Sequence, residues 1–148
     1  MIVGQYQIKI GAKKRVAFPK KFRDSMGNKL FITRGYEGCL VIVDQKRWNK
    51  ITNQITQGTF LDRRVRDSSR FLLAGAHEIV LDEQGRFVIP DGLFQYAELE
   101  LEKKEVVFLG LVNWVEIWSV EKWHEHEEYV RQNGEQIVQE LAGLSSNN

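Results

Sequence analysis

Only two prolines occur in the 148 residues, Pro19 and Pro90, and they end the same phrase written twice. The first copy runs from Gly4 through QYQIKIGAKK to Arg15, then VAF and Pro19. The second runs from Gly75 through AHEIVLDEQG to Arg86, then FVI and Pro90. In both, the arginine follows the glycine by eleven positions and precedes the proline by four. Further on, LVIVDQKRW ends at Trp48 and VEIWSVEKW at Trp123, with Gly35 and Gly110 each thirteen residues earlier. A repeat in this register confines the chain to a pseudo-symmetric object built from one unit used twice. At this length the chain can bury one good core, so both units are expected in a single body.

The local pattern fills in that unit. Tyr6, Ile8 and Ile10 alternate with polar residues, which is the period of a half-buried strand. Gly11 to Lys14 reads as a basic turn, Val16 to Phe18 as a returning strand, and Pro19 opens a short helix, KKFRDSM, that Gly27 can end. Leu30 to Thr33 and Cys39 to Val43 read as two more strands. Asp44 is a good N-cap for a helix carrying Trp48, Ile51 and Ile55. Residues 60 to 74 are predicted to form a connecting helix with Leu61, Val65 and Leu72 inward.

The second copy repeats the order. Ile79 and Leu81 belong to a strand, Asp82 to Gly85 to a turn, and Phe87 to Ile89 to the return. Val106 to Leu109 and Val115 to Trp118 follow as strands, and Ser119 caps a helix carrying Trp123 and Val130. Gly134 is predicted to interrupt that helix before a short amphipathic piece with Ile137, Val138 and Leu141, and the final SSNN to fray. The division expected is 4–49 for the first unit, 50–74 for connecting helices, 75–121 for the second unit and 122–148 for a helical tail.

A net charge of +1 conceals an asymmetry. Residues 1 to 74 hold 16 Lys and Arg against 5 Asp and Glu, a net of +11, while residues 75 to 148 hold 5 against 15, a net of −10. Either opposite halves attract neighbouring subunits, or the first half faces a polyanion, and both can hold together. Arg63, Arg64, Arg66 and Arg70 pose the same choice. Asp62 and Asp67 beside them favour pairing over phosphate contact.

Several function classes find no support. No run of eighteen apolar residues exists and no secretion signal is read at the N-terminus. Cys39 is alone and reads as a small buried residue, which suits a reducing cytoplasm. His77-Glu78 and His124-Glu125-His126 lack the spacing of a helical zinc pair, so no metal is expected. Neither a P-loop nor a GxGxxG fingerprint is present, and no nucleophile stands in a recognised context, so neither cofactor nor enzyme activity is expected. Trp48 and Trp123 recur with the repeat, and with Trp118 they read as packing residues first.

The turn Asp82-Glu-Gln-Gly85-Arg86, followed by an apolar triplet and Pro90, gives a D-x-x-x-R pattern in a chain that uses its unit twice. With TRG at 33–35, GCL at 38–40, RFLLAGA at 70–76, EIVLDEQGR at 78–86 and EIWSVEKW at 116–123, the chain resembles the MraZ family of bacterial transcription regulators over nearly its whole length. The resemblance implies an α+β, mainly β fold. Two AbrB-like swapped-hairpin repeats would interlock into one pseudo-symmetric, barrel-like core with flanking helices. It also implies a cytoplasmic, nucleoid-associated ring oligomer. Such a ring would bind short direct repeats of double-stranded DNA upstream of the division and cell-wall gene cluster, its own operon included. The rival is an AbrB-fold interaction module of antitoxin type that binds a protein.

Carried over residue by residue, the motif gives Asp82 and Arg86 in the second copy and Arg15 in the first. An arginine in a tight turn can take a phosphate or a guanine edge bidentately, and an aspartate four residues earlier can hold it in one rotamer. The first copy departs from the pattern, with Gly11 for the aspartate and Lys14 for the glycine. If that position keeps a positive φ, lysine there costs on the order of 1 kcal/mol, unless Gly11 absorbs the bend. The tip of Lys13, Lys14 and Arg15 is then the expected DNA contact, with Arg86 beside it and Asp82 orienting.

Overall fold

Tyr6 and Ile8 lean on the core from a strand otherwise open to solvent, and this strand, β1 (Val3–Lys9), begins a computed structural model that describes residues 1–146. The first half continues with β2 (Arg15–Ala17), α1 (Lys20–Met26), β3 (Leu30–Arg34), β4 (Leu40–Asp44) and α2 (Gln45–Thr56). Helix α3 (Arg63–Leu72) connects. The second half repeats the order with β5 (His77–Ile79), β6 (Arg86–Val88), α4 (Asp91–Tyr96), β7 (Glu105–Leu111), β8 (Val115–Ser119) and α5 (Val120–Ser146).

Each half lends its first strand to the other. The antiparallel sheet runs β1-β7-β8-β4-β3-β5, and a separate two-stranded ribbon pairs β2 with β6. Read from either end the sheet gives the same order of equivalent strands, so the halves are related by a pseudo-two-fold axis. The barrel-like closure expected from the resemblance does not form. β1 and β5 are the two edges of an open sheet. β5 and both ribbon strands have only three residues, too few to carry a ladder from one edge to the other.

Register corrects one equivalence. Ile8 faces Val106 and its counterpart Ile79 faces Leu30, so Leu30 corresponds to Val106. Gly110 therefore occupies the place of Arg34, not of Gly35, and the second hairpin turn is one residue shorter. Gly110 is glycine for its own reason: a Cβ there would lie 2.8 Å from the Phe22 ring.

The core has two parts, one on each side of the sheet. Val16, Phe18, Phe87 and Ile89 of the ribbon and its extensions join Phe22, Leu93 and Phe94 of α1 and α4 over Leu30, Ile32, Leu40, Ile42, Phe108 and Ile117 of the sheet. Across the sheet, Cys39, Val107, Leu109 and Trp118 pack with Val41, Val120 and Trp123. Trp48 of α2 stacks on Phe31, ring centroids 5.1 Å apart. The expected caps are present: Asp44 Oδ1 accepts from the Arg47 amide at 2.8 Å, and Ser119 Oγ from the Lys122 amide at 3.1 Å.

Three local expectations change. Asp62 accepts from the Arg64 amide at 2.9 Å and so starts α3 late, leaving Leu61 outside the helix and 77% exposed rather than inward. Leu81 lies beyond the short β5. Gly134 does not interrupt α5, which is continuous from Val120 to Ser146. An interior glycine costs only about 1 kcal/mol, and helical pairs such as Arg131–Glu127 and Gln136–Glu140 flank it. Of the SSNN expected to fray, Ser145 and Ser146 continue the helix, while Asn147 and Asn148 lie outside the described residues. Among the described residues no helix is long and apolar enough to cross a membrane.

Candidate functional site

The ribbon is where the repeated arginines meet. In its register Arg15 faces Val88, Val16 faces Phe87, and Ala17 faces Arg86. Opposed residues of an antiparallel pair share a side, and alternate residues switch. Val16 and Phe87 are therefore the buried side, and Arg15, Ala17, Arg86 and Val88 form the outer one. Strand geometry puts the two arginine Cα atoms roughly 8 Å apart on that face. The turns that precede the arginines lie at opposite ends of the ribbon, each tied to the other half. Phe18 N–H donates to the Gly85 carbonyl at 2.9 Å, and Ile89 N–H to the Lys14 carbonyl at 3.0 Å.

The second turn is organised by one carboxylate. Asp82 Oδ1 accepts from the amides of Gln84 and Arg86, both at 2.9 Å, and Oδ2 accepts from Arg86 Nε at 3.1 Å. These bonds, the Arg86 amide foremost, hold the Asp82 carboxyl below the usual carboxylate range. The chain passes through Gly85 at φ +74°, and a Cβ on Gly85 would meet the Arg23 guanidinium of α1 at 2.1 Å. The expected Asp82–Arg86 pair is thus formed.

The first turn reaches the same strand by another route. Gly11 stays extended at φ −85°, so it does not absorb the bend. Lys13 and Lys14 both go left-handed instead, at φ 61° and 62°, and the Arg15 amide donates to the Ala12 carbonyl. Arg15 follows with no ion pair or side-chain hydrogen bond among the described residues, and Lys13 is exposed. Lys14 turns away from its neighbours. Its Nζ donates to Asp91 Oδ1 of α4 and sits 5.2 Å from the centre of the Phe94 ring.

Sequence reasoning missed Asp91, Phe94 and Arg23. A signal existed in the comparison of the copies: counted from the shared prolines, Asp91 stands where the first half has Lys20, and Phe94 where it has Arg23. The turn that gained a lysine therefore faces the helix that gained an acid and a ring.

The remaining candidates resolve simply. Arg63 and Arg70 pair with Asp67, at 3.4 and 2.8 Å, Arg64 pairs with Asp62 at 2.8 Å, and Arg66 donates to the Phe60 carbonyl at 2.8 Å. Cys39 is buried, and its desolvation, reinforced by Glu116, pushes the thiol far up, which leaves it inert. Trp118 and Trp123 pack with His126 behind the sheet.

Known proteins can be set beside this geometry. A family model described as "MraZ protein, putative antitoxin-like" matches residues 1–71 and again 72–144. A protein of Thermoanaerobacter sp. (strain X514) named transcriptional regulator MraZ is 37% identical over 145 residues, covering 98% of this chain and 99% of its own. One of the same name from Acetivibrio thermocellus is 36% identical over 144 residues, covering 97% and 99%. Another, from Clostridium beijerinckii, is 39% identical over 128 residues, covering 86% and 88%. Two matches of one model in the register of the Gly–Arg–Pro repeat, with full-length relatives at this identity, leave one reading: the chain belongs to the MraZ family.

Proposed function

We propose that the chain is a transcriptional regulator, not an enzyme, whose β2–β6 ribbon binds double-stranded DNA. The observation that carries this is the pair Arg15 and Arg86 on one solvent-facing side of the ribbon, at the ends of two turns in the same register. A two-stranded ribbon fits a major groove, and arginines spaced along it can take guanine edges while Lys13 meets phosphate. Arg15, unpaired, is the stronger contact, and Arg86, held by Asp82, the weaker. The relatives' names agree with the regulator reading.

The finer reading is a homo-oligomeric ring, acting in the cytoplasm on the nucleoid. It would bind short direct repeats before the division and cell-wall gene cluster and repress it together with its own operon. Repeated units on one rim suit repeated boxes, since weak contacts add through effective concentration. Two surfaces support association. Val41, Val43, Ile51, Ile55, Leu72 and Trp114 line an open groove of about 510 Å³. Along α5 from Val130 onward, Val130, Ile137, Leu141 and Leu144 form an exposed apolar row. The charge split favours a head-to-tail contact, which closes into a ring when the rotation allows.

A binding titration with the protein's own upstream promoter, intact and with its direct repeats scrambled, tests the DNA reading. A preference for the intact repeats is expected, and equal affinity would sink it. Light scattering of the protein alone at low and high salt tests the ring. A multimer that outlasts DNA binding as salt rises is expected, whereas a monomer at micromolar concentration in low salt removes the ring. The antitoxin-like wording of the family description and the α5 row favour one rival, binding of a protein partner. That rival predicts no preference among DNA sequences.

A further inference from the structure

We propose that Lys14 is a positioning residue: Asp91 and Phe94 of the other half clamp it, and it orders the first turn for Arg15 without touching phosphate itself. The proposal rests on the DNA-binding reading of the ribbon. Three contacts converge on this one residue. Its Nζ donates to Asp91 Oδ1, its cation lies over the Phe94 ring at 5.2 Å, and its carbonyl accepts from the Ile89 amide at 3.0 Å. The side chain is only 27% exposed while Asp91 is 82% exposed, so the lysine lies against the protein and its partner faces out.

The need for such a clamp follows from what the first turn lacks. In the second turn one carboxylate holds the amides of Gln84 and Arg86 and the Arg86 guanidinium. Gly11 offers the first turn no such acceptor; backbone bonds close it, from the Gly11 amide to the Arg15 carbonyl at 2.7 Å and from the Arg15 amide to the Ala12 carbonyl, but no acidic side chain of the turn fixes its two left-handed lysines. The pseudo-two-fold supplies the holder. Gly85 lies beneath Arg23 of α1, and Lys14 lies in the equivalent place over Phe94 of α4, with Asp91 one turn away. Charge has moved from helix to turn, and an acid has appeared to receive it. An exposed ion pair alone is weak. Here it acts with a cation–π contact and a backbone bond on the same residue. A lysine so engaged is neutralised locally, and the free cations left at this tip are Lys13 and Arg15.

The test uses the full chain and two variants, Lys14→Met and Asp91→Asn. Affinity for the intact repeats and for a scrambled duplex is measured across salt, with melting temperature as a check of folding. Lys14→Met keeps the stem over Phe94 and is expected to leave the salt slope unchanged. A slope flatter by about 0.9 would make Lys14 a phosphate contact and overturn the proposal. Asp91→Asn and Lys14→Met are each expected to lower the ratio of specific to scrambled affinity at least about five-fold. An unchanged ratio in both variants overturns it.

Hydrogen exchange without DNA separates this proposal from the binding reading. Asp91→Asn should speed exchange several-fold at the amides of Arg15 and Ile89, which donate to the Ala12 and Lys14 carbonyls, and leave Gln84 and Arg86 unchanged. No such acceleration overturns the clamp whatever the DNA result. If wild-type protein shows no preference for the repeats, the DNA reading fails, and the exchange data still decide the clamp.

Discussion

The two turns of this chain solve one problem with different chemistry. Both must reverse the chain in front of an arginine that opens a ribbon strand. The second does it locally: an aspartate bonds the amides and the arginine after it, and a glycine takes the positive φ. The first has neither residue and does it at a distance, with two lysines in the left-handed region and an acid and a ring from the other half. Backbone bonds tie both turns to the other half; only in the first do the side chains that hold the turn come from there too, from residues that carry no motif of their own.

The largest expected effect is on binding. Arg15→Ala should cost roughly 1–3 kcal/mol in affinity for the intact repeats, and Arg86→Ala less, by titration with labelled duplex. A larger loss from Arg86→Ala would reverse the ranking of the turns. Next is Gly85→Lys, which writes the first turn's residue into the second. The left-handed φ and the Arg23 guanidinium in the way should lower stability by about 1–2 kcal/mol in thermal unfolding. Were it neutral, the second turn would have slack that its bonds conceal.

Lys13→Gly should raise stability by about 1 kcal/mol, because glycine adopts φ 61° without strain. The same substitution should flatten the salt slope of binding by about 0.9. The smallest effect is a titration. The folded Asp82 carboxyl lies below its unfolded value, so its contribution is fully present above the ordinary carboxylate range and is lost as pH falls through the lowered value. The Arg86 amide shift should report that midpoint by NMR. A midpoint for Arg86 at or above the ordinary aspartate range would mean the bonds to Asp82 do not form in solution.

What could be read from the residues alone was whatever is local or repeated. The strands alternate, Asp44 and Ser119 cap, and Asp82 and Arg86 stand four apart, so each left a mark in a short window. The exchange of first strands was reached by family resemblance, because no window contains both β1 and β7. The barrel-like closure that the resemblance implies is not met, since strand length at the edges decides it. Gly134 does not stop α5, because glycine's cost is small beside a helix well supplied with pairs. Matching Gly35 with Gly110 relied on counting from the tryptophans, and a one-residue difference in a hairpin is invisible to such counting. Lys14 read as one cation of three, because the acid that receives it stands 77 residues away.

The exchanged strands also bear on how the chain is born. Gln7 of β1 donates to Glu105 of β7, 98 residues further along, and β1 has no ladder partner before β7 exists. During synthesis the first half therefore leaves the ribosome with a strand it cannot dock and an apolar face it cannot cover. At about 5–20 residues per second that interval lasts on the order of 5–20 s. Over that interval the first half is the more basic part of the chain and carries an edge strand whose partner has not yet been made.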